Sequence, residues 1–103
     1  MTSSQQRPEI ARLWVRFAPL VDQRLTEIEN LVAALANEGT PTPDEVSSAR
    51  FAAHNLAGTL GTFGRPEAGL MAREIFESLE DRVPAFAEIA PRASALRVAT
   101  ALD

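Results

Sequence analysis

Apolar residues Ile10, Leu13, Trp14, Phe17, Val21, Leu25, Ile28, Leu31, Val32 and Leu35 return every three or four positions along the first third of the chain. That spacing gathers them on one side of an α-helix and on neither face of a strand. Pro19 interrupts the run. The residue before a proline is pushed away from helical angles, so a boundary or kink is expected at Ala18, with a short helix over about residues 8–18 and a long one over 19–37. Asn37-Glu38-Gly39 supplies the stop, with a glycine available for a left-handed cap.

The next helix start is the best marked. Thr42 can cap, Pro43 suits the first helical position, and Glu45 stands three residues after the threonine as a capping box requires. This helix should span about residues 43–62. Pro66 and Glu67 open another, to about residue 81, with Met71, Ala72, Ile75, Leu79 and Phe76 as its inward stripe, and Val83-Pro84 breaks it. The alanine-rich tail over 84–102 reads as a further helix whose start Pro91 obscures. No strand pattern or repeat occurs. The expected fold is all-α, an antiparallel four-helix bundle with a short additional N-terminal helix. Its core should be built from Trp14, Phe17, Val21, Leu25, Ile28, Leu31, Leu35, Val46, Ala53, Leu56, Leu60, Ile75 and Leu79.

A chain of 103 residues can bury one modest core and hardly two, so a single domain over 1–103 is expected. With no cysteine, stability must come from packing rather than disulfides or thiolate metal sites. The formal net charge of −4 offers nucleic acid no general attraction. The start, Met1 to Glu9, is polar, and the longest unbroken apolar run is only Leu31 to Ala36; neither export nor membrane spanning is expected, and a cytoplasmic protein meeting other proteins is.

The only histidine, His54, falls within the 43–62 helix. At about 100° per residue, Val46, Ala49, Ala53, Leu56 and Leu60 share one arc, the core face, and His54 lies outside it. Near it on the outer face project Ser47, Arg50, Phe51, Gly58 and Gly61, and no Asp or Glu occurs between Glu45 and Gly64. Each glycine inside a helix costs about 1 kcal/mol relative to alanine, so this clustering needs a compensating reason. One reason is chemical. A histidine that accepts a phosphoryl group must present a neutral ring nitrogen and admit a bulky donor. Glycine one turn on uncovers the ring, Arg50 one turn back can pair with the phosphate, and Phe51 offers an apolar docking contact. Each feature also has a plain structural reading: a surface histidine, glycines that let helices pack closely, a solvated arginine, a phenylalanine covered by the N-terminal helix.

The stretch Ala53-His54-Asn55-Leu56-Ala57-Gly58-Thr59-Leu60-Gly61-Thr62-Phe63-Gly64 resembles the signature of histidine-containing phosphotransfer (HPt) domains, H-x-L-K-G followed by a second glycine after five intervening residues. Pro66 to Glu77 resembles the helix that follows in those domains. The resemblance covers most of the chain and fades beyond about residue 82. It implies that His54 is the phosphoacceptor, Leu56 a core anchor, Gly58 the residue that clears the ring, and Gly64 a helix terminator. It implies reversible transfer between His54 and a phosphoaspartyl receiver domain or a sensor histidine kinase. No cofactor of its own is implied, magnesium being expected on the receiver. Gly58, Gly61 and Gly64 lie in or at the end of a helix rather than after a strand, so they form no nucleotide-binding loop and no autonomous kinase activity is expected. One position departs: Ala57 stands where the family usually has a phosphate-contacting lysine. Some HPt-like sequences that resemble this one have alanine there, and Arg50 is the obvious substitute, with Arg65 and Arg73 as cations from elsewhere in the fold.

Three other classes compete. Ala57 favours a module that keeps the HPt fold and docks on a receiver or kinase without being phosphorylated. A purely structural or dimerising bundle would show an unbroken apolar stripe on an outer face, of which only Phe51 is visible. A metal enzyme is poorly supported by one histidine and carboxylates that do not cluster at ligand spacing.

Overall fold

The structure, a computed structural model, describes residues 2–37 and 39–101, with side chains at residue 9 and from residue 11 onward. The expectations for Ile10, Glu38 and Leu102 lie outside these. Four helices form: α1, Thr2–Ala36; α2, Pro43–Thr62; α3, Pro66–Ser78; and α4, Phe86–Ala99. Among the described residues there is no strand, and no helix is long and apolar enough to cross a membrane. Helix α1 packs on α2 and α4, and α3 packs on the same two, so the four close a ring around one core. Short connections make chain neighbours antiparallel, giving the expected all-α four-helix bundle.

The additional N-terminal helix is not separate. Helix α1 runs through Pro19 without a break, and the molecule's 51 Å long dimension matches a helix of 35 residues at about 1.5 Å each. Proline removes one backbone donor, but Trp14 before it and Val21, Leu25, Ile28 and Leu31 after it keep one phase and are buried in one core. Packing of that continuous stripe outweighs the single lost bond. Nor does Gly39 take a left-handed conformation.

Helix α2 starts where its sequence says. The Glu45 amide donates to Thr42 Oγ1 at 3.1 Å and the Thr42 amide donates to Glu45 Oε1 at 2.8 Å, a complete capping box. It ends in a Schellman turn: Arg65 N–H donates to Leu60 O at 2.9 Å, Gly64 N–H donates to Gly61 O at 3.2 Å, and Gly64 adopts φ 77°. Helix α3 stops at Ser78, short of the expected residue 81. Glu77, Glu80 and Asp81 put negative charge at the negative end of the helix dipole, which discourages further turns. Pro91 lies inside α4 and does not begin it.

The core contains Trp14, Val21, Leu25, Ile28, Leu31, Ala49, Ala53, Leu56, Leu60, Ile75 and Leu79, with Leu35 and Val46 at its edge. Phe17 does not belong to it. Exposed to 37%, it packs against Phe63 with ring centroids 5.4 Å apart, on the flank of α1 rather than its inward side. Helix α4 contributes Ile89, Ala93 and Leu96, which the weak periodicity of the tail did not identify.

Candidate functional site

His54 lies in the middle of α2, and its burial pattern follows from the helix around it. Ala49, Ala52, Ala53, Leu56 and Leu60 are sealed inward, which turns His54, Ser47, Arg50, Phe51, Gly58 and Gly61 outward, all six exposed. A groove of about 590 Å³ runs from His54 between α2 and α3. Its α2 wall is Ala57, Gly58 and Gly61, and its α3 wall includes Gly69, Leu70, Arg73 and Phe76. On the other side of His54 a smaller concavity is formed by Ser47, Arg50, Phe51 and Phe76. Neither contains a carboxylate in its lining, although the chain carries 14 acidic residues.

The glycines divide into two kinds. A Cβ placed on Gly58 or Gly61 would have no neighbour within 4 Å, so their lack of side chains opens space beside His54 and relieves no clash. Gly69 is different: a Cβ there would lie 3.2 Å from Ala57 O and 3.4 Å from Gly61 N, so α3 approaches α2 backbone to backbone at this point. That contact forms the floor of the groove. Gly69 was not singled out from sequence because nothing in a single helix reports where its partner crosses. Thr62, whose hydroxyl donates to Gly58 O at 3.2 Å, adds a bond to the glycine-weakened last turns.

The arginines are distributed unevenly. The Arg50 guanidinium lies 5.6 Å from the centroid of the Phe76 ring, beside His54. Arg73 lines the groove from α3 and pairs with Glu77 at 3.5 Å, both side chains well exposed. Arg65 is elsewhere, stacked 4.1 Å over Trp14, and is not brought to His54. Phe51 is 53% exposed, with Arg24 of α1 over its ring at 5.0 Å, so the N-terminal helix borders it without covering it.

Phe76 was named from sequence only as an inward-facing residue of α3. It is half-buried, packed partly against the core, and its ring meets that of His54 at 5.0 Å between centroids and 45° between planes. Such a pairing across two helices leaves no trace in the local pattern around His54. In comparisons with family models, curated proteins and solved structures, no match to the chain was found.

Proposed function

We propose that the chain is a histidine phosphotransfer protein of a phosphorelay, accepting a phosphoryl group on His54 from a phosphoaspartyl receiver domain or a sensor kinase and passing it on. The observation that carries this reading is an exposed mid-helix imidazole opening onto a groove where Gly58 and Gly61, one and two turns on, bear no side chain, and a Cβ at either would meet nothing within 4 Å. A stable helix gains nothing from two such glycines, whereas a partner's active site approaching the ring gains clearance. The absence of carboxylates from the groove and the presence of Arg50 and Arg73 suit a dianionic product. In the reaction, a ring-nitrogen lone pair forms the N–P bond as the acyl-phosphate P–O bond breaks and the donor's carboxylate leaves. The donor site supplies magnesium and most of the stabilisation of the transferring group. This chain supplies the nucleophile, its access and a flanking positive charge.

Incubation with a panel of phosphorylated receiver domains tests the reading. Acid-labile, base-stable phosphate should appear on the parent chain and be absent from a His54→Gln variant. Ala57, in place of the usual lysine, favours the second reading, a docking module that binds a receiver or kinase without being phosphorylated. That reading predicts saturable binding to a receiver in the same panel with no label on His54.

A further inference from the structure

We infer that Phe76 is the positioning residue of this site, a single ring that holds the His54 imidazole on one side and keeps the Arg50 guanidinium beside it for the phosphoryl group. This rests on the phosphotransfer reading above. His54 and Arg50 lie one turn apart on α2, and Phe76 comes from α3. Its ring reaches both: 5.0 Å to the His54 ring and 5.6 Å to the Arg50 guanidinium carbon. The first distance is that of a tilted aromatic pair, the second of a cation–π contact. Phe76 is itself anchored, being packed against the core, so it can impose an orientation on two long, otherwise exposed side chains.

What surrounds Arg50 gives the arrangement its purpose. Arg24, Arg73, Arg82, Arg92 and Arg97 pair with carboxylates, whereas among the described residues Arg50, like Arg12, Arg16 and Arg65, does not. A carboxylate beside His54 would repel an incoming phosphoryl dianion and compete for the guanidinium. A neutral ring face holds the same cation close without either penalty. When the N–P bond forms, Arg50 exchanges a weak contact with Phe76 for charge-assisted hydrogen bonds to phosphoryl oxygens and leaves no buried charge unpaired. Arg50 thus takes over from α2 what lysine at position 57 would do, and Phe76 places it.

The test uses phosphoramidate as donor, whose P–N bond breaks with ammonia leaving as His54 is phosphorylated, so receiver docking does not enter. Phe76→Leu keeps apolar bulk and removes the ring face; Phe76→Tyr keeps the face. Phosphorylation should slow about two- to fivefold in Phe76→Leu, the rate equivalent of an exposed cation–π contact, and return to the parent rate in Phe76→Tyr. Arg50→Ala should slow the parent, and slow Phe76→Leu by less, because the two side chains act as one unit. In parallel, NMR of the unphosphorylated chain should show His54 ring protons shifted by the Phe76 ring current in the parent and Phe76→Tyr, and not in Phe76→Leu. A parent rate in Phe76→Leu, or full additivity with Arg50→Ala, overturns the positioning role. Absence of the ring-current shift in the parent overturns the shared platform whatever the phosphate assay gives. A shifted ring in a chain that no donor phosphorylates instead sinks the phosphotransfer reading and, with it, the role assigned to the platform.

Discussion

Two glycines that sequence logic would treat alike, Gly58 and Gly69, behave oppositely once their neighbours are known. Gly58 is an exposed mid-helix residue with open space where a Cβ would go. Gly58→Ala should therefore raise stability by about 0.5–1 kcal/mol, the helix-propensity difference, as read by chemical denaturation. The same methyl narrows the space beside His54, and phosphotransfer from a receiver should slow. Unchanged transfer would remove the steric role of Gly58. Gly69→Ala gains the same propensity but sets its methyl 3.2 Å from a carbonyl oxygen and 3.4 Å from an amide nitrogen of α2, both backbone atoms that cannot swing aside. Overpacking of this kind costs about 1–3 kcal/mol, so a net loss of stability is expected. The outward position of His54 was legible from the 3.6-residue period alone. Phe76 was not, because the pairing depends on how α3 crosses α2, and no single helix encodes that.

At the scale of the helices, local rules held at both ends of α2, where hydrogen bonds within a few residues satisfy the backbone, and failed where packing could override them. Thr42, Pro43 and Glu45 set the start of α2 through hydrogen bonds made within four residues, so spacing sufficed. Gly64 similarly marks its end. Pro19 misled because a missing donor is a local cost, whereas the burial of Trp14 on one side and Val21 and Leu25 on the other is a benefit spread over the whole of α1. Pro91 is a second instance, lying inside α4 between the end of its first turn and the buried Ala93. If the fold tolerates Pro19 rather than requiring it, Pro19→Ala should restore the hydrogen bond to the Val15 carbonyl and raise stability by about 1–3 kcal/mol in thermal or chemical unfolding. A loss of stability would mean that the proline shapes the path of α1 over its neighbours.

Across the whole molecule, the ring of helices has one seam with no covalent connection, between α1 and α4, and it lies opposite the α2–α3 groove that holds His54. Arg97 clasps that seam. Its Nε donates to Glu29 Oε2 at 2.9 Å, Nη2 donates to Glu29 Oε1 at 2.7 Å, and Nη1 donates to Asp22. The hydrogen bonds to Glu29 and then Asp22 hold the Arg97 guanidinium above its ordinary pKa, so it stays charged throughout the accessible pH range. The side chains are only partly buried, Arg97 at 36% exposure and Glu29 at 40%, which places the clasp nearer to a surface pair than to a buried one. Its bidentate geometry and second carboxylate set it above a single exposed pair, and Arg97→Met should cost about 1–2 kcal/mol, less in 1 M salt where the charges are screened. Beneath the clasp, Ile89 and Leu96 keep α4 docked through apolar contact, so the bundle should remain folded. Phosphotransfer to His54, measured well below the unfolding temperature, should then match the parent, because the groove depends on the α2–α3 crossing and not on the opposite seam. A variant that stays folded yet transfers more slowly would show instead that the two seams move together, and that the position of α3 against His54 is set by the whole ring.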